Sequence, residues 1–116
     1  MILDHYSLSP VKKFAGENVR NVTGRVVIGK ETGAKNFCMR VFEVASDGYT
    51  PLHTHDWEHE IFFHAGEGEV WLDGDWHPVK PGSVAFIPGG QEHQIRNSAT
   101  DTLVFVCLIP SGPPEL

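Results

Sequence analysis

The sequence predicts an all-β fold, and three observations carry that reading. Its apolar stretches are short and are punctuated by 12 Gly and 8 Pro. No window places apolar residues at helical spacing over three turns. Asp73-Gly74, set between Val70-Trp71-Leu72 and Trp76, carries the residue pair of a type I′ hairpin.

Taken in order, Val11 to Phe14 leaves room for a short turn of helix. Val26-Val27-Ile28, Phe37 to Val44, Ile61 to Phe63, Val70 to Leu72, Val84 to Ile87 and Leu103 to Ile109 read as strands. Pro81-Gly82 and Pro88-Gly89-Gly90 bracket the strand at 84–87, and Pro110 stops the last one. Many short strands at this spacing imply a sandwich or a barrel. A length of 116 residues fits one domain, 1–116, with residues 1–20 as an N-terminal arm and 110–116 as a mobile tail.

Composition narrows the function classes. Nine basic against 15 acidic residues give a formal charge of −6, and no basic cluster is longer than Lys12-Lys13, so nucleic acid is not an expected partner. No apolar run approaches the ~20 residues that span a bilayer. Met1-Ile2-Leu3-Asp4-His5 lacks the basic and apolar regions of a secretory signal. Two cysteines, Cys38 and Cys107, are too few for a disulfide framework, and the expected setting is the cytoplasm with reduced thiols. The stretch Val104 to Leu108 is apolar on both faces, as is much of Phe37 to Val44. That predicts a homodimer, because an outer face in water should alternate with polar residues. A second subunit, or a swapped strand such as Val22 to Ile28, would cover it.

The chemistry sits in the histidines. Three of the seven fall in His53-Thr54-His55-Asp56-Trp57-Glu58-His59. Residues i and i+2 of a strand share a face, so His53 and His55 present two imidazoles side by side. Asp56-Trp57-Glu58 can bend the chain so that His59 joins them, and His93 follows Pro88-Gly89-Gly90. Imidazoles suit Zn, Cu, Fe, Ni and, less strongly, Mn. His5, His64 and His77 read as surface or interface residues.

These spacings resemble the two motifs of the cupin superfamily. The second, G-x5-P-x-G-x2-H-x3-N, is met in full by Gly82, Pro88, Gly90, His93 and Asn97. The first, G-x5-H-x-H-x3,4-E-x6-G, is met with two departures. Four residues rather than five separate Gly48 from His53, and His59 stands where the motif has glutamate, six residues before Gly66. Glu60 fits the longer spacing. Strand alternation favours His59: if it points inward, so do Ile61 and Phe63, whereas an inward Glu60 would bring Phe62 and His64 with it. The resemblance implies a single-domain cupin with a jelly-roll-like β-barrel. It extends to the small four-histidine manganese cupins, and so implies one divalent ion per subunit on His53, His55, His59 and His93. Manganese is the expected metal, with Fe, Ni, Cu or Zn as alternatives.

In the resembling cupins the face of Phe105, Cys107 and Ile109 lines the pocket, and the inward phase of His59 would add Ile61 and Phe63 to that lining. Arg40 shares a face with Cys38, Phe42 and Val44. It is either a fixed charge near the metal, with Phe42 beside it in the substrate pocket, or an exposed strand arginine. Four imidazoles on an octahedral ion leave two adjacent positions for a small-molecule ligand or substrate. Three functions follow: an oxidoreductase of dioxygenase type acting on a small oxygen-bearing molecule, which is the leading expectation; a non-redox isomerase or lyase; or a binding or sensing module without turnover.

Overall fold

The computed structural model describes residues 1–116. It contains no α-helix: two single 3-10 turns, at Tyr6–Leu8 and Lys30–Thr32, accompany nine strands. These are β1 (Lys12–Phe14), β2 (Arg20–Ile28), β3 (Phe37–Tyr49), β4 (His59–Ala65), β5 (Gly68–Leu72), β6 (Asp75–Val79), β7 (Val84–Ile87), β8 (Gln94–Asn97) and β9 (Leu103–Pro110). All pairings are antiparallel, in the order β6-β5-β8-β3-β9-β4-β7, with β2 also on β3 and β1 on β2.

The sheet curls because β3 serves both halves. Residues Phe37 to Val44 pair with β9, while Tyr49 pairs with Arg96 of β8. Between them Asp47 takes a positive φ of 63°, the local irregularity that lets a long strand change direction. The inner faces then meet in one buried cluster that draws Cys38 and Val44 from β3, Ile61 and Phe63 from β4, Val70 from β5, Ile87 from β7, Ile95 from β8 and Phe105 from β9. Asn97 closes the far side: its amide donates to the Val44 and Asp101 carbonyls, at 2.9 and 2.8 Å, and its Oδ1 accepts from Ala99 N–H.

Alternation on β4 follows the expected phase. His59, Ile61 and Phe63 are buried; Glu60, Phe62 and His64 are exposed. Asp73 and Gly74 both have positive φ, 53° and 76°, as a type I′ turn requires. The helical turn considered for Val11 to Phe14 is replaced by β1, which pairs Lys12, Lys13 and Phe14 with Gly24, Thr23 and Val22. Phe14 gains a packing site on Phe42 that a lone helical turn would not give it. The strand at Val26 to Ile28 begins earlier, at Arg20, and pairs with β3 of its own chain. The C-terminal residues touch the barrel: the Glu115 carboxylate accepts from Lys30 N–H at 3.0 Å, and its carbonyl accepts from Arg40 at 3.4 Å.

Candidate metal centre

His53 and His55 lie on the irregular segment after β3, His59 opens β4, and His93 immediately precedes β8. Backbone pairing fixes two of them: His53 N–H donates to the His93 carbonyl at 3.1 Å, and His93 N–H returns a bond of 3.0 Å. A third tie joins the two motifs, since Gly90 N–H donates to the His55 carbonyl at 2.7 Å. The turn before His93 is therefore stapled to the loop that carries His55.

The four imidazoles converge. One nitrogen from each lies within 4.8 Å of the others. Nε2 of His59 is 2.8 Å from Nε2 of His55, and Nε2 of His53 is 3.0 Å from Nε2 of His93. On two of the rings the opposite nitrogen is already committed. His55 Nδ1 is 2.9 Å from the Trp57 carbonyl, and His93 Nδ1 is 2.9 Å from the Gln91 carbonyl. A carbonyl only accepts, so in both rings the proton sits on Nδ1 and Nε2 offers its lone pair inward. Lone pairs turned on one another at about 3 Å repel unless a proton or a cation stands between them. The donor set thus fits one divalent transition ion, with neutral imidazoles and no carboxylate ligand.

Burial favours the neutral form of His53, His59 and His93. It lowers the His59 pKa to about 3, with the Arg40 charge adding to the effect. His53 is lowered to about 4, by burial and then by its histidine neighbours, and burial lowers His93 as well. His53 is the most exposed of the four and His59 and His93 are buried, so the cluster opens to solvent on the His53 side.

Arg40 is on the inner face and buried, with 7% of its surface exposed. Its Nη2 lies 3.0 Å from Cys107 Sγ and 3.3 Å from His59 Nδ1, and the guanidinium sits over the Phe42 ring at 5.0 Å. No carboxylate pairs with it, and its Nε has no partner. Phe42, Ile61, Phe63, Phe105, Cys107 and Ile109 all belong to or pack on the inner cluster, and Phe105 stacks on Phe42 at 5.3 Å. Glu60 points away, and its pairing with Phe86 and Leu108 puts it on the outer face. His5, His64 and His77 are exposed and outside the cluster.

Trp57 escaped the sequence reading. Its indole stacks on the His55 ring at 4.2 Å with an interplanar angle of 5°. An aromatic two residues after a motif histidine was the only available signal.

Comparison with known proteins agrees with this geometry. The cupin domain family model matches residues 40–109. The chain superposes on the polyketide cyclase RemF of Streptomyces resistomycificus with a TM-score of 0.90 and 32% identity, covering 98% of this chain and 82% of that one. It is 31% identical over 71 residues to 1-methylthio-D-xylulose 5-phosphate methylsulfurylase of Rhodospirillum rubrum, covering 61% of this chain and 46% of the relative. To an oxalate-binding protein of Thermotoga maritima it is 37% identical over 59 residues, covering 50% and 49%. The chain thus spans about half the length of these two curated relatives. Motif spacing, curled antiparallel sheet and family match agree: the chain belongs to the cupin family.

Proposed function

We propose that the chain is a metal-dependent enzyme in which His53, His55, His59 and His93 hold one divalent ion. It acts on a small oxygen-bearing molecule entering from the His53 side. The observation that carries this reading is the convergence of four imidazoles, two of which, His55 and His93, have their outer nitrogens committed to backbone carbonyls. When bound, such an ion polarises oxygen groups as a Lewis acid or activates dioxygen. Manganese remains the proposed metal.

The chain's own residues do the rest. Arg40 supplies a fixed positive charge without a carboxylate partner, which favours substrates carrying a carboxylate or enolate. Phe42, Ile61, Phe63, Phe105 and Ile109 form an apolar wall that excludes water and strengthens that charge. Cys107 shares this face. Likeness to RemF over nearly the whole chain favours non-redox cyclisation of an enolisable polycarbonyl compound. The dioxygenase reading stands second, supported by the absence of a side-chain carboxylate hydrogen-bonded to the imidazoles that could move protons.

The test is incubation of Mn- or Fe-loaded protein with linear polycarbonyl and catechol-like compounds, with and without air. Product formed without oxygen uptake supports the cyclase or isomerase class. Oxygen consumption supports the dioxygenase. Tight binding with neither supports the sensing role. We also propose a homodimer in which a second copy covers the apolar outer face of β3, β9, β4 and β7.

A further inference from the structure

Cys107 does not point at the imidazole nitrogens that converge. It stands behind His59, its Sγ 3.0 Å from Nδ1 on the far side of that ring. The sheet register explains why. Cys107 faces Arg40 directly across the β3–β9 pair and Ile61 directly across the β4–β9 pair. His59, two residues before Ile61 on the same face, is then its diagonal neighbour. Arg40 Nη2 donates to the same sulfur at 3.0 Å and also lies 3.3 Å from His59 Nδ1.

The three groups present a choice of tautomer. A guanidinium only donates, so it favours the His59 ring with an Nδ1 lone pair and a proton on Nε2. That form cannot offer Nε2 to a metal. The competent form carries its proton on Nδ1, and the acceptor in reach is Cys107 Sγ. His55 and His93 solve the same problem with rigid backbone carbonyls. His59 has no such carbonyl, and the cation beside it pulls the other way.

We propose that Cys107 is a positioning residue for the metal centre: by accepting from His59 Nδ1–H and occupying Arg40, it holds His59 in the tautomer that frees Nε2. This rests on the metal-binding reading of the four histidines. Removing the acceptor leaves Nδ1–H facing a guanidinium donor, so the ring gives up the competent tautomer. Outer partners of metal-bound histidines typically contribute about 10–100-fold in affinity.

The experiment compares wild type, Cys107→Val, Cys107→Ser and the double variant Cys107→Val/Arg40→Met. Metal affinity is read by chelator competition and the His59 tautomer by 15N NMR of metal-free protein, where no ion imposes it. Val is larger than Cys by one methyl, but the double variant carries the same Val, so any packing cost at position 107 is common to both and recovery in the double variant isolates the tautomer effect. Cys107→Val is expected to bind metal about 10–100-fold more weakly. Ser, which still accepts, and the double variant, which has lost the competing donor, should recover most of that loss. Wild type and the Ser variant should show the Nδ1–H tautomer. Equal affinity in wild type and Cys107→Val would overturn the role of Cys107 while leaving the metal site standing, as would equal loss in the Val and double variants. A wild-type protein that binds no ion would instead overturn the metal reading itself.

Discussion

Gly89 packs so closely on the Asp56 carbonyl oxygen that a Cβ at position 89 would overlap it. The contact joins the two histidine-bearing segments beside the Gly90 N–H bond to the His55 carbonyl. Its φ is not in the left-handed region, so space and not conformation demands glycine here. Gly89→Ala is therefore expected to push the Pro88–Gly90 turn away from the His55 loop and spoil the spacing between His93 and His55. Metal affinity, measured by chelator competition, should fall at least about tenfold, with a destabilisation of about 1–3 kcal/mol. A neighbouring control, Gly90→Ala, meets no atom within 4 Å but sits at φ 83°. It should lose some stability and bind metal better than Gly89→Ala. Unchanged metal affinity in Gly89→Ala would show that the segments are not coupled through this contact.

The adjacent pair His59 and Glu60 separates the two ligand patterns open to a cupin sequence. His59 is buried against the other imidazoles, and Glu60 lies on the outer face opposite Leu108 and Phe86. His59→Ala should purify with little or no metal. Glu60→Ala should keep full occupancy by elemental analysis. The reverse result would assign the fourth ligand to Glu60.

How much of this was legible depended on the range of the interaction. On β4 one face is buried and the other is not, so a one-residue choice between His59 and Glu60 decides the placement of four further side chains, and period-two alternation settles it. Asp73-Gly74 was equally readable, because few residue pairs accept positive φ twice in succession. Strand β1 was not: Lys12-Lys13-Phe14 holds one apolar residue, too few to show a period, and its partner Val22 lies outside any local window. The neighbourhood of Cys107 was legible only as a shared face. That its sulfur meets both Arg40 and His59 follows from the registers of two strand pairs, which no local pattern encodes. The stacking of Trp57 on His55 belongs to an irregular loop, where alternation gives no guidance.

The depressed histidine pKa values carry a pH dependence with a definite sign. His59 titrates near 3 in the folded protein and near 6.5 in a model peptide, because burial and then the Arg40 charge oppose its protonation. His93 shifts in the same direction by burial. His53 does too, but it is exposed, and solvent screens its share. Below about pH 6.5 the unfolded chain therefore takes up protons that the folded metal-free protein does not. Stability is fully present above that pH and is lost as pH falls toward about 3 to 4. The urea midpoint of metal-free protein should drop steadily from pH 6.5 to pH 4, and His59→Leu should flatten the slope. A midpoint independent of pH over this window in wild type would contradict the assignment.

The outer face of the sheet makes the case for a dimer. Two cross-strand rows run over it, Val41–Val106–Phe62–Val84 and Met39–Leu108–Glu60–Phe86. Seven of these eight residues are apolar, and the face is open at its β7 end, where Val84 is 75% exposed, Phe86 57% and the neighbouring Phe62 48%, while Val41 at the β3 end is buried. The face lies on the opposite side of the sheet from the histidines, so covering it does not obstruct the metal centre. A β2 swap is not required, since β2 already pairs with β3 of its own chain. Face-to-face packing of two such sheets would bury these rows at about 25 cal/mol per Å2 of apolar surface, before the costs of association. Sedimentation at micromolar concentration should therefore give about twice the 12.9 kDa chain mass. Phe86→Lys, at the open edge, should shift the protein toward monomer while metal content stays unchanged. A wild-type monomer of 12.9 kDa under these conditions would rule the dimer out, and a Phe86→Lys variant that stays dimeric would move the interface to another face.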